Sequence, residues 1–433
     1  MIRFVYAFIA IVVIAPAAWA EIKIKEVTSA GGITAWLVEE PSIPFVALEL
    51  RFKGGTSLDL PGKRGATNLM VGLLEEGTGD LDAQGFARAS EELAAQFGYD
   101  SHSDAVSISA RLLTENRAEA VELLRRSLVA PSFPQDALDR VREQVLSGIR
   151  SDLKDPEQIA GARLAELVYG DHPYGTPGEG TLESVAALTR ADIAAAHRGA
   201  LAKDRLFVGV VGDITEEELG PMLDALLGDL PETGAPLPGP ADVAITGGID
   251  VVDYDTPQSV ALWAQNGIDR NDPDFFPAYV LNTILGGGGF ESRLMTEVRE
   301  KRGLTYGVYS YLVLRDLANV YMGSVSSAND RVAQSVSVVK DEWARMANQG
   351  ATAEEVDKAK ALLTGAYPLR FDGNGAIAQI MVSMQMDGMP IDYIATRNDK
   401  VNAVTPEDIA RVAGELLDSD ALQFVIVGQP EGL

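Results

Sequence analysis

The chain has 433 residues, 46% of them hydrophobic and 23% charged, a globular composition long enough for two or more domains with cores. Its 63 acidic against 36 basic residues leave a formal net charge of −27. That charge argues against nucleic acid and anionic membrane as partners and serves solubility first. The absence of cysteine excludes disulfides and thiolate chemistry, and only His102, His172 and His197 remain as imidazole ligands.

Taken in chain order, residues 1–20 (MIRFVYAFIAIVVIAPAAWA) carry one early cation, an apolar run and a small-x-small end at Ala18-Trp19-Ala20. This is the order of a secretory signal, with cleavage expected after Ala20; an uncleaved anchor is the alternative. The expected location is outside the cytoplasm, most simply a bacterial periplasm. After cleavage no remaining segment is apolar and long enough to span a membrane.

Residues 45–57 (FVALELRFKGGTS) alternate like a strand. Residues 65–80 (GATNLMVGLLEEGTGD) read as an apolar helix stopping at Glu75, Glu76 and a glycine turn. Adjacent residues on a helix point about 100° apart, so the two carboxylates do not converge and read as a solvated helix end. Helical spacing recurs over 116–128 and 134–153. A stretch at 231–243 (PETGAPLPGPADV), with four prolines and two glycines, continues neither helix nor central strand and reads as a linker. Beyond it, 258–267 and 304–316 read as strands, and 331–348 and 353–369 as helices.

The linker divides the chain nearly in half, and the halves share their ends. Residues 188–213 lie over 404–429 at an offset of 216, with eight identities in register over 26 residues, among them Thr189/Thr405, Asp192/Asp408 and Gly212/Gly428. Each segment reads as a Thr-capped helix followed by a buried strand ending at glycine. The expected fold is α+β: two duplicated domains, each an antiparallel-rich sheet with helices on one face. The expected bounds are 1–20 for the signal, 21–230 for the first domain, 231–245 for the linker and 246–433 for the second domain.

One stretch is more specific than the rest: LNTILGGGGFESRLMTEVREKRGLTYGVYSYL at 281–312. With DHPYGTPGEGTLESVAALT at 171–189, it resembles the pitrilysin/insulinase (M16) family of zinc peptidases, which includes the mitochondrial processing peptidase and the core proteins of the bc1 complex. The resemblance covers essentially the whole chain after residue 20. It implies duplicated α+β domains forming half of a peptidase chamber. Catalytic members carry H-x-x-E-H on a helix shortly before a Gly-Thr pair. Two histidines at i and i+4 share one helical face and hold zinc, and the glutamate takes the proton of the bound water.

With Gly77-Thr78 setting the register, the histidine positions fall on Asn68 and Gly72, the base on Val71, and the later ligand on Gly148. None of the four can supply the chemistry, so no metal site and no cofactor are expected in this chain. The family's second domain supplies an Arg and a Tyr seven residues apart that face the zinc, and here Arg299 and Tyr306 stand at that spacing, with Arg302 the competitor. A tyrosine donates to a peptide carbonyl or developing oxyanion, and an arginine offers fixed donors to peptide oxygens. Spacing alone leaves Arg299 free to pair with Glu297 or Glu300, and Tyr306 to be a half-buried strand residue. The run Gly286, Gly287, Gly288 and Gly289 reads either as a flexible loop or as a place where peptide backbone approaches closely.

The resemblance implies a non-catalytic subunit that binds peptide substrate and completes the chamber of a partner with an intact H-x-x-E-H, which brings the zinc. A structural or assembly role like that of the core proteins is the alternative. An independent enzyme of another type has the least behind it: no Gly-x-Ser-x-Gly and no P-loop occur.

Overall fold

The computed structural model describes residues 22–433; the expected export signal and its Ala20 junction lie outside them. Each half builds one large sheet, and the first half adds a two-stranded ribbon of Gly77–Thr78 and Leu81–Asp82. The first has six strands in the spatial order Lys25–Thr28, Thr34–Glu39, Leu206–Gly212, Phe45–Lys53, Ala105–Leu113, Gln96–Ser101. The second has five, from Gly248–Asp253 through Gln423–Gly428, Gln258–Asn266 and Asn319–Ala328 to Thr305–Leu314. All pairings are antiparallel except the one that the last strand of each half makes with an early strand, Leu206–Gly212 with Thr34–Glu39 and Gln423–Gly428 with Gly248–Asp253. Five strands therefore correspond one to one, and only the first sheet carries the extra edge strand Lys25–Thr28.

The repeat is as close in structure as in sequence. The helices Arg190–Ala200 and Pro406–Leu416 stand 216 residues apart, and each opens with a reciprocal cap in which Thr189 or Thr405 exchanges hydrogen bonds with Asp192 or Asp408. The strands that follow end at Gly212 and Gly428, with φ of +146° and +150°. A Cβ there would collide with the Phe45 carbonyl in the first half and the Ser259 side chain in the second, so glycine is required at both.

Both terminal strands are apolar almost throughout, LFVGVVG and QFVIVG, because both faces of each sheet are covered. One face meets helices of its own half. In the first half Leu48, Leu50 and Phe52 point into that core, and in the second Trp263, Tyr321, Trp343 and Phe424 do. The other face meets a helix from the opposite half. Pro156–Tyr169 lays Ala160, Leu164 and Val168 on Leu262, Ala264 and Val425 of the second sheet. Asn374–Met386 lays Ala378, Met381 and Met384 on Trp36, Ala47 and Val211 of the first. An offset of 216 carries 156–169 onto 372–385, so the exchanged helices are themselves a repeated pair.

Three local expectations need correction. The helix at 65–80 is only Ala66–Val71, and residues 72–76 form turns. Glu75 and Glu76 therefore follow the helix rather than end it. The helix expected over 353–369 ends at Ala366 and tightens to 3-10 over Tyr367–Phe371, where Pro368 has no N–H to donate.

Candidate functional site

In the first half the helix Ala66–Val71 packs beside Gln96–Ser101, an edge strand of its sheet. Asn68 is half-buried, and its side-chain amide donates to Ser101 Oγ at 3.4 Å. Val71 is buried. Gly72 lies at the surface as the helix C-cap, and a Cβ there would meet Val141 Cγ1 at 3.2 Å. Val141 belongs to the helix Gln135–Asp152, on which Gly148 sits two turns further along, exposed, with open space around it. A weak amide oxygen, a valine and two glycines do not fit a zinc ion. Among the described residues no group of three or more His, Asp or Glu is placed to hold one.

Of the two nearby acids, one is engaged elsewhere. Arg140 clasps Glu76 through both guanidinium ends at 2.9 and 2.6 Å, so Glu76 is not simply solvated. Glu75 is half-buried, and burial followed by the charge of Glu76 pushes its carboxyl pKa up. The histidines lie apart. His197 is a core residue, 8% exposed, bonded through Nε2 to the Leu128 carbonyl and edge-on to Phe133. His172 caps a short turn by accepting from the Tyr174 N–H, and His102 sits 3.2 Å from Asp100 at the surface.

In the second half the candidate Arg/Tyr pair lies in an ordered arrangement. The helix Phe275–Asn282 runs on as a π turn, Thr283–Gly287, and a second π turn, Met295–Glu300, carries Arg299. Gly303 N–H donates to Arg299 O at 2.8 Å and Leu304 N–H to Val298 O at 3.1 Å, tying this turn to the start of the edge strand Thr305–Leu314. That strand bulges between Thr305 and Val308. The Thr305 hydroxyl holds the bulge, donating to Ser326 O at 2.6 Å and accepting from Gly307 N–H at 3.1 Å. A bulge re-aims the side chain it carries. Tyr306 accordingly stands 87% exposed, against the half-buried strand position that spacing alone allows.

Arg299 is half-buried, lies 4.6 Å over the ring of Phe290, and makes no ion pair among the described residues. Its competitor is taken: Arg302 donates to both the carbonyl and the carboxylate of buried Glu297 at 2.7 Å, and Lys301 reaches the same carboxylate at 2.7 Å. Burial opposes ionisation of Glu297, but these bonds outweigh it and hold its carboxyl below the usual range. Phe290, 65% exposed immediately after the glycines, is a site residue that sequence reasoning missed; an aromatic following a glycine run was its only signal. The glycines themselves are mainly turned inward. A Cβ at Gly286 would strike Ser310 on the edge strand, and one at Gly287 or Gly288 would strike the preceding turn, whereas Gly289 (φ +64°) has open space.

Comparison with known proteins shows the family of the chain. The family model described as Insulinase (Peptidase family M16) matches residues 35–182, and the one described as Peptidase M16 inactive domain matches residues 187–363. A Helicobacter pylori protein named non-peptidase homolog YmxG is 27% identical over 390 residues, covering 90% of each chain. A Streptomyces coelicolor protein named uncharacterized zinc protease SCO5738 is 26% identical over 407 residues, 91% of this chain and 87% of that one. Among solved structures, the peptidase M16 inactive domain from Pseudomonas fluorescens is 30% identical with a TM-score of 0.88, covering 95% of this chain and 98% of that one.

Proposed function

This chain belongs to the M16 (insulinase) peptidase family, and we propose that within it the chain is the non-catalytic subunit of a zinc peptidase outside the cytoplasm, most simply in a periplasm. A partner with an intact H-x-x-E-H brings metal and base. This chain brings peptide-binding groups and half of the chamber wall. The observation that carries the reading is the pair Arg299 and Tyr306, one without an acid partner among the described residues and the other thrust from a bulge, in a chain whose expected metal positions carry no zinc-binding side chain. Substrate adds as a strand along the open edge of Thr305–Leu314, where main-chain hydrogen bonds supply affinity with loose sequence preference. The exposed tyrosine hydroxyl and the guanidinium on Phe290 then hold peptide carbonyls at the start of that edge.

The test is reconstitution with a catalytic M16 partner. Arg299→Ala and Tyr306→Phe should each lower kcat/KM for peptide cleavage by roughly tenfold, the scale of one hydrogen bond to a charged or developing charge. Cleavage by the pair that ignores both substitutions sinks the proposal. Co-purification with a partner that also lacks H-x-x-E-H would instead favour an assembly role.

A further inference from the structure

A second feature lies at the far end of the same edge strand. A cavity of about 360 Å³ is enclosed by the helices Phe275–Asn282, Asn374–Met386 and Tyr393–Ala403, by the turn Tyr367–Phe371, and by Tyr311 and Leu314 of the strand. Its walls are aromatic, with Tyr279, Tyr311, Tyr367 and Tyr393 among them. Its charged groups are three arginines, Arg270, Arg370 and Arg397, against a single acid, Asp387. That balance inverts the −27 of the chain as a whole.

The one acid is already committed, since Arg270 approaches it to 3.1 Å. Arg397 is 4% exposed and has no carboxylate partner among the described residues. It donates to Leu363 O and Asn398 Oδ1 at 2.8 Å and to the Tyr279 hydroxyl at 3.4 Å, and lies 4.4 Å over the Tyr367 ring. Buried charges are ordinarily paired, because desolvation without a counter-charge is costly. Arg370 stands at the surface of the same cavity, also without an ion pair among the described residues. A buried guanidinium without a carboxylate and a second one at the cavity mouth, in aromatic surroundings, suit a planar anion, to which the free N–H groups can donate.

We infer that this cavity is a specificity subsite that takes a carboxylate carried by a peptide lying on the edge of Thr305–Leu314. The inference rests on the strand-addition reading above. Leu314 lies eight positions after Tyr306, a reach of roughly 27 Å at about 3.4 Å per residue. A peptide running parallel to the strand presents its C-terminal carboxylate there, and one running either way can present an acidic side chain.

The experiment is calorimetric titration of the full chain with three matched pairs of probes. The first pair is N-acetyl-phenylalanine and its amide, which needs no strand addition. The second is a neutral octapeptide with a free or an amidated C-terminus. The third is an amidated octapeptide ending in Glu or in Gln. The small acid, and the acid member of at least one peptide pair, should bind about tenfold more tightly than the neutral member. The peptide pair that responds identifies the source of the carboxylate. Arg370→Gln, a surface change, should remove the difference while leaving thermal unfolding unchanged. Equal binding within every pair overturns the subsite, and peptide binding that still depends on Tyr306 would leave the strand-addition reading standing. If the small acid binds by its charge and no peptide binds, the peptide assignment is overturned. Failure of all probes to bind overturns the subsite outright.

Discussion

The two halves share one plan, yet the faces on which they exchange helices are made of different chemistry. In the second sheet Leu262, Ala264 and Val425 meet Ala160, Leu164 and Val168 of the incoming helix, an apolar seam. The 216-residue offset and the strand pairing place Glu49, Arg51 and Gly209 at the matching positions of the first sheet. There the apolar contact of Trp36, Ala47 and Val211 with the helix is joined by close polar contacts. Arg51 donates to Ser383 Oγ at 2.7 Å, Gln385 reaches the Val208 carbonyl at 2.9 Å, and a Cβ on Gly209 would come within 2.7 Å of the Ala378 carbonyl. One backbone duplication thus supports an apolar joint in one direction and, in the other, an apolar joint reinforced by hydrogen bonds.

The strongest way to break this contrast is to empty each joint in turn. Leu164→Ala should cost about 2–5 kcal/mol of unfolding free energy in denaturant, because a fully buried seam cannot collapse onto the void. Met381→Ala should cost less, since methionine is an adaptable gap-filler and the same joint is also held by the Arg51–Ser383 and Gln385–Val208 hydrogen bonds. Equal losses would mean that the two joints are energetically alike despite their composition.

A smaller effect concerns Glu49, where burial pushes the carboxyl pKa from 4.5 up to about 7, with Arg51 pulling only partly against it. An acid with a raised folded pKa binds more protons folded than unfolded between those two values. Its contribution is therefore most favourable below pH 4.5, declines as pH rises towards 7, and is flat above. Glu49→Gln does not titrate, so the variant should match the parent in acid and exceed it above pH 7 by at most about 3 kcal/mol. Unfolding curves that stay parallel from pH 4 to 8 would show that Glu49 titrates as an ordinary carboxylate.

The smallest effect tests where the halves agree. Thr189→Ala and Thr405→Ala each remove the same reciprocal cap and should each cost about 1 kcal/mol. A loss at one and none at the other would show that the repeat is geometric but not energetic.

Much of this was legible in the chain. The Thr caps, the glycine-terminated strands and the 216-residue repeat are local patterns, and the helices Arg117–Val129, Gln135–Asp152 and Val332–Gln349 lie where periodicity places them. The identity of Asn68, Val71 and Gly72 at a zinc register is likewise a property of the residues themselves. What periodicity missed has physical causes. The edge strand Gln96–Ser101 contains Gly98 and lacks a clean alternation, so only its pairing with Ala105–Leu113 makes it a strand. Glu75 and Glu76 look like a helix end until Arg140, sixty-four residues from Glu76, claims one of them. Arg299 has the spacing and Arg302 competes by type alone, and what separates them in space is Glu297, whose two cationic partners leave Arg299 to Phe290.

By itself, then, the sequence determined the duplication, the caps, and the absence of zinc-binding side chains at the family's register, because each depends on side-chain chemistry or on neighbours a few residues away. Only the tertiary structure decided which helix covers which sheet, which arginine is left without an acid, and that Tyr306 faces outward from a bulge. Those outcomes arise from contacts between segments far apart in the chain, where burial and pairing compete and where no local pattern records the winner.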